Sequence, residues 1–292
     1  MSVCIATRRL FIHQPVLSYM GPRPAWKEVR KVIQWQIDPI VRLEAIPLGS
    51  SEGRVLAEDL LQTSCLPQLG KGQTLGPDQV LALGCLDAEE VLVYSQPKAL
   101  MVEGPEGEDG SPELSQLARY VARFGAVPLL ERCGAGSQAD TVRRNIGADL
   151  ILVRGPHPGT RSYCRDEGRS LFEGIAMSPG GGTCLYLIED TPVMLLPSHG
   201  QELLGAELLP LQTLVRHLTR KDDSVPFRGT MSEPISSRPD RDEVKFLRAG
   251  ADGTLTLFDA TAGLSMACSH FLVMPARSPT LTPGDQVVCW PC

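Results

Sequence analysis

The chain reads as an α/β protein: a three-layer α/β domain with an N-terminal helical segment before it and a small C-terminal all-β barrel after it. Three observations predict this. Between residues 98 and 153, short apolar runs alternate with amphipathic stretches of helical period, the order of a doubly wound sheet. Residues 171–199 then carry two apolar runs ending in Gly- and Pro-bearing loops, with a long helical pattern behind them. Beyond residue 226 the texture changes to short alternating strands separated by turns such as Ala251–Asp252–Gly253 and Pro283–Gly284–Asp285.

Residues 1–25 read as an irregular leader closed by Gly21, Pro22 and Pro24. The 25–36 run places Val29, Val32 and Ile33 at helical spacing. A short strand is expected at 46–48, and Ser50 and Ser51 offer N-caps for a second helix over 52–60. Pro77 at a first helical position and Gly84 past the last one predict a helix over 77–83. Strands are expected at 91–94, 98–102, 127–130 and 149–153, and helices at 112–124, ended by Gly125, and at 137–145, capped by Ser137. Strands at 184–188 and 193–196 precede a helix over 202–218. A polar hinge at 222–225 leads to barrel strands at 243–247, 254–258, 271–274 and 286–289. The domains follow: leader 1–25, helical and linker segment 26–95, α/β domain 96–222, barrel 226–292.

The net charge of −6, with no basic block, argues against nucleic acid or an anionic membrane as partner. No segment has the roughly 18 consecutive apolar residues of a membrane span, and a cytoplasmic location is expected. The 9 cysteines read as free thiols; Cys289 and Cys292 have CxxC spacing but stand without a second pair. No Ser-His-Asp set, Cys-His pair or HExxH helix appears at useful spacing.

The loops at strand ends are where open α/β sheets bind ligands. Gly155 and Gly159, after the 149–153 strand, would let backbone N–H groups approach an anion, and Arg154 and Arg161 could add charge-assisted contacts. Met177–Gly182 is a second Gly-rich turn. Ser198 and His199, beside Pro197 and Gly200, open the long helix, where N–H groups favour anions or Ser198 serves as a plain cap. Glu106 lies in an acidic, Gly-rich loop after the 98–102 strand.

In order and spacing these parts resemble the molybdopterin molybdenumtransferase family, which includes the C-terminal region of gephyrin-like proteins. The family's LGRVLAEDV run is matched by SSEGRVLAEDLL, and its GxxLxPxxIxxLxxxGxxEVxVY unit by GQTLGPDQVLALGCLDAEEVLVY. The resemblance implies a molybdopterin-binding α/β domain. It also shows departures. Pro67 leads almost directly to Gly72, where the family has the PxFDNSAMDGYA motif and an inserted lobe, so weaker dimerisation is implied.

STGDEL aligns with ALMVEGPEGE, putting the family's catalytic and metal-holding acid on Glu106, with Mg²⁺ implied. TSGGVSxGDYD becomes VRGPHPGTRSY, keeping Gly155, Gly159 and a hydroxyl at Thr160. MKPGKP becomes Met177–Ser178–Pro179–Gly180–Gly181–Gly182, losing both lysines, and GLPGNPVSA becomes LLPSHGQELL. The implied ligand set is Gly155, Gly159, Thr160, Ser178, Pro179, Gly180, Pro197, Ser198 and His199, and the implied ligand is molybdopterin or its adenylated form. Three readings stay open: a molybdate-inserting transferase; a pseudoenzyme that binds or carries the pterin; and a scaffold for other molybdenum-cofactor proteins or a weak homodimer.

Overall fold

A computed structural model describes residues 22–60, 69–103, 112–133, 137–221, 225–258 and 268–292. The central sheet is built from β3 (Lys98–Glu103), β4 (Val127–Arg132), β5 (Leu150–Arg154), β6 (Arg169–Glu173), β8 (Cys184–Ile188) and β9 (Thr191–Leu196), in the order β4-β3-β5-β9-β8-β6. The first four of these in space run parallel, while β8 is antiparallel to both β9 and β6. The inner strands β3, β5 and β9 are buried runs of apolar residues because both their faces are covered, whereas the edge strands β4 and β6 are partly exposed. Ala99, Met101, Leu150, Leu152, Met194 and Leu196 enter one core; Leu100, Val102, Ile151, Val153, Val193 and Leu195 enter the other. The period-2 alternation of side chains thus divides a single apolar run between two helical layers.

The first layer contains α1 (Trp26–Gln36), α3 (Pro112–Phe124) and α7 (Gln212–Thr219). Helix α3 contributes Leu114, Leu117, Val121 and Phe124, at the spacing of one helical stripe. The opposite layer holds α4 (Gln138–Arg144) and α5 (Pro158–Glu167). Helix α4 begins at Ser137, whose side chain accepts from the Asp140 N–H as the sequence predicts.

The helix expected over 202–218 is continuous from Gly200 to Thr219, but not uniform. Segment α6 (Gly200–Ala206) passes through a π turn, Glu207–Leu211, into α7. Pro210 lies inside that turn, where its missing N–H favours a local change of hydrogen-bond register. Glu207 opens the turn fully buried, and burial pushes its carboxyl up to about 8, against Gln116 Nε2, which donates to it at 2.6 Å, and the Arg154 charge. The folded state therefore keeps a proton that the unfolded chain loses near 4.5. Stability is expected to fall as pH rises between about 4.5 and 8, the loss being complete above that window. Glu207→Gln should flatten this slope in urea denaturation followed across pH; an unchanged slope would clear Glu207 as its origin.

The C-terminal strands β10 (Phe227–Met231), β11 (Asp242–Ala249), β12 (Thr254–Leu257), β13 (His270–Met274) and β14 (Gln286–Pro291) pair in the order β12-β10-β14-β13-β11. Pairing of β12 with β11 closes the ring into a five-stranded barrel. Met231, Leu247, Leu255, Leu272, Val287 and Cys289 fill it. The two-residue strand β7 (Met177–Ser178) pairs in parallel with β11, tying the α/β domain to the barrel. Asp242 reinforces this seam by accepting from Trp26 N and Ala276 N.

At the N-terminal end, β1 (Leu43–Pro47) pairs antiparallel with β2 (Glu90–Tyr94), and α2 (Pro77–Gly84) packs on them around Leu56, Leu75, Leu83 and Val93. The expected helix over 52–60 is absent. Val55, Leu56 and Leu60 instead make isolated bridges to Thr74, Val93 and Leu69, and Gly53 takes φ +73°. A helix this short is marginal on its own, and pairing with distant backbone satisfies the same apolar side chains. Strands β6, β7 and β10 and helix α5 were not expected from the sequence. The leader up to residue 21 and the hinge residues 222–224 lie outside the described residues. No helix among the described residues is long and apolar enough to cross a membrane.

Candidate functional site

The order of the sheet reverses between β3 and β5, so the crevice outside their carboxyl ends is the natural ligand position. At this switch point Glu103 ends β3 and Arg154 ends β5, and the two form a buried ion pair. Arg154 Nη1 also donates to the Ser198 carbonyl at 2.8 Å, linking the loop after β5 to the loop after β9. Arg154 is therefore a brace between strands, not a free anion contact.

Beside this brace lies a cavity of about 470 Å³, lined by Gly155, Pro156, Arg161, Gly182, Pro197, Ser198, His199 and Glu202. Three loops distant in sequence meet there: the one after β5, the Gly-rich turn before β8 and the one after β9. Gly155, Pro197, Ser198 and His199 are the sequence-derived site residues that reach the cavity wall. Gly155 has φ +55°, and a Cβ there would lie 3.1 Å from the Ser198 Cβ, so glycine lets the two loops close on each other.

The remaining sequence-derived residues have other surroundings. Thr160 is buried and donates to Gln138 Oε1 at 3.3 Å. Gly159 lies in the first turn of α5, where its N–H donates to His157 Nδ1 at 3.2 Å. His157 is the N-cap of α5 and Pro158 its first helical residue, a position where the lost N–H costs nothing. Ser178 lies in β7, paired with Glu243 of the barrel. Pro179 and Gly180 pack against α6, and Gly180 N donates to Glu202 Oε2 at 2.8 Å. Glu106 lies outside the described residues.

The sequence predicted backbone N–H donors for an anion in the loop after β5. Those groups are already engaged: Gly155 N donates to Leu196 O, His157 N to Gln138 Oε1, and Gly159 N to His157 Nδ1. The loop after β5 therefore offers an anion side chains rather than these N–H groups. Arg161 is half-buried in the wall, 3.9 Å from Cys184 Sγ. Ser198 Oγ lies 2.7 Å from His199 Nδ1, so Ser198 does not cap α6; His199 occupies the N-cap position with no side-chain cap bond.

Gln138 and Glu202 were missed in the sequence, and Gly182 was named only as part of the Gly-rich turn. Gln138 is buried and also donates to the Arg154 carbonyl at 3.4 Å, so one amide holds the loop after β5 from beneath. Nothing local marks a glutamine on an amphipathic helix as such a bridge. Gln138→Ala leaves a buried N–H without its acceptor and is expected to cost about 1–3 kcal/mol. Thermal unfolding measures this, and a loss below about 0.5 kcal/mol, the range of neutral surface changes, would contradict the bridge.

For a metal, the donor set is thin. Among the described residues no group of three or more His, Cys, Asp or Glu side chains could hold an ion. The described cavity wall carries one carboxylate, Glu202, whose Oε2 already accepts from Gly180. These residues do not make a Mg²⁺ site.

The architecture defines a class of fold first: a mixed α/β domain with a cavity at its strand ends, joined to a closed barrel. That is the domain architecture of the MoeA-like molybdopterin biosynthesis proteins. A molybdenum cofactor biosynthesis protein from Pyrococcus furiosus superposes with a TM-score of 0.75 at 20% sequence identity, covering 93% of this chain and 100% of that one. A molybdopterin biosynthesis MoeA protein from Pyrococcus horikoshii OT3 superposes with a TM-score of 0.75 at 15% identity, covering 93% of this chain and 100% of that one. No family model and no curated protein matches the sequence.

Proposed function

We propose that this chain holds a phosphorylated pterin of the molybdopterin class in the strand-end cavity and acts in molybdenum-cofactor biosynthesis, with molybdate insertion reduced or lost. The observation that carries this reading is the meeting of three loops on one cavity of about 470 Å³, within the usual range of small-molecule sites. Arg161 supplies positive charge for a phosphate, and the Ser198–His199 pair supplies hydroxyl and imidazole donors. Gly155 and Gly182 keep the walls free of side chains where a flat ring system would lie.

Reduced turnover follows from the charges. The turn at 177–182 has no lysine, and the lysine expected one turn earlier in the family pattern falls on Gly174. Removing one preorganised donor from such a site typically costs about 2.7–4 kcal/mol of transition-state stabilisation. Glu106 would be the remaining acid for any Mg²⁺-dependent step.

The test is to supply adenylated molybdopterin, Mg²⁺ and molybdate to the purified protein and measure binding and AMP release together. Binding without release is the expected result. Release of AMP that Glu106→Gln abolishes would establish the transferase instead. Absence of any pterin binding would overturn both and leave the scaffold reading.

A further inference from the structure

The barrel brings two thiols into contact at its seam with the α/β domain. Cys268 stands two residues before β13, and Cys292 follows β14 directly. Antiparallel pairing of His270 with Pro291 and Phe271 with Trp290 sets the register, and Cys292 N donates to Ser269 O at 3.0 Å. The two sulfurs lie 2.6 Å apart in a buried position, both cysteines being free. A disulfide places its sulfurs at about 2.05 Å, so closure needs a movement of roughly half an ångström.

The pairing is selective for a structural reason. Cys289 is three residues from Cys292 on the same chain, and an odd offset on a strand puts side chains on opposite faces. Cys289 accordingly faces the barrel interior, its Sγ 3.6 Å from Phe227 O. Cys292 and Cys268 belong instead to the core shared with Leu117 and Val121 of α3. Arg123, at the end of α3, donates to the Cys292 carbonyl and fixes that residue under the helix.

We propose that Cys268 and Cys292 are an oxidisable dithiol whose disulfide clasps the paired barrel strands β13 and β14 beneath α3. The oxidant is a peroxide. The Cys268 thiolate attacks the peroxide oxygen; the O–O bond breaks and Cys268 becomes a sulfenic acid, hydroxide leaving as water after protonation. The Cys292 sulfur then attacks the Cys268 sulfur, the S–O bond breaks, and water departs with the thiol proton. Two thiols and one hydrogen peroxide give one disulfide and two waters. Either sulfur of the pair can donate to the other, and Cys268 Sγ also donates to the His270 carbonyl at 3.0 Å; the Cys292 contact holds the Cys268 thiol below its usual value, which favours Cys268 as the nucleophile. The residues are 8% and 7% exposed, which leaves a small oxidant an approach.

The experiment exposes the reduced, folded chain to hydrogen peroxide, alkylates remaining thiols and digests without reduction. Trypsin separates residues 249–277, which hold Cys268, from the peptide starting at Ser278, which holds both Cys289 and Cys292. The expected product joins these two peptides, is reversed by a dithiol reductant, persists in Cys289→Ser and is lost in Cys292→Ser. In Cys292→Ser, Cys268 should stop at the sulfenic acid and be trapped by dimedone. Circular dichroism confirms that each variant is folded. Linkage through Cys289, or a folded wild type in which peroxide leaves Cys268 and Cys292 as open to alkylation as before, would overturn the proposal.

Discussion

Arg161→Ala is expected to weaken binding of a phosphorylated pterin about 10- to 150-fold. Arg161 supplies the arginine charge on the cavity wall, and the backbone donors of the loop after β5 are engaged elsewhere. A hydrogen bond to a charged group contributes about 1.5–3 kcal/mol, and each 1.4 kcal/mol is a factor of ten in affinity. Arg161→Lys keeps the charge but loses the planar fork that grips phosphate in two places, so an intermediate affinity is expected. Calorimetric titration with the alanine and lysine variants distinguishes these outcomes. Equal affinity for wild type and Arg161→Ala would place the anion elsewhere.

Gly180→Ala and Gly205→Ala are expected to be among the most destabilising single-methyl additions in the chain. Gly180 has φ +98°, where a side chain is strained, and a Cβ there would lie 2.8 Å from Gly205 C and 2.9 Å from Ala206 N. From the other side, a Cβ on Gly205 would lie 2.5 Å from the Pro179 carbonyl oxygen. These are backbone contacts that no rotamer change relieves. Overpacking typically costs about 1–3 kcal/mol, and a left-handed residue adds roughly 1–2, so about 2–5 is expected for Gly180→Ala.

The double variant should cost less than the sum, because both methyl groups force the same gap between the Gly-rich turn and α6. Urea denaturation measures all three. Strict additivity would show that the two glycines relieve separate contacts. The cavity should also suffer, since Gly182 on this turn and Glu202 on α6 both line it.

The strands of the central sheet were legible because burial on two faces leaves an uninterrupted apolar run, and the helices between them because one face is apolar. Resemblance to the molybdenumtransferase family was carried by the order of runs such as SSEGRVLAEDLL and GQTLGPDQVLALGCLDAEEVLVY, and the solved structures agree with the fold it implies. Helix α5 was not legible: its first residues are prolines, a glycine and a histidine, and its mean hydropathy is low, so only the cap at His157 and the buried Thr160 and Cys164 mark it. Residues 52–60 erred the other way. Their apolar spacing suits a helix, but Val55 and Leu56 are drawn into pairing with residues about 20 and 40 positions away.

The candidate site divides along the same line. Gly155, Pro197, Ser198 and His199 stood out because Gly, Pro and Ser at strand ends mark loops that face ligands. Gln138 and Glu202 did not, since each is an ordinary polar residue on a helix until a loop from elsewhere comes to rest on it. Ser178 and Gly180 stood out for the right composition and a different reason, a strand shared with the barrel and a close approach to α6.

By itself the sequence determined the layering of this protein: which segments are strands buried on both sides, which are helices with one apolar face, and where an all-β unit begins. Those are local consequences of side-chain period and turn chemistry. Only the tertiary structure decided which loops share a cavity, that Arg154 is tied to Glu103 and Ser198, and that Cys268 touches Cys292. Such contacts join residues 24 to 51 positions apart, and chain spacing holds no record of them because the sheet order and strand register bring them together.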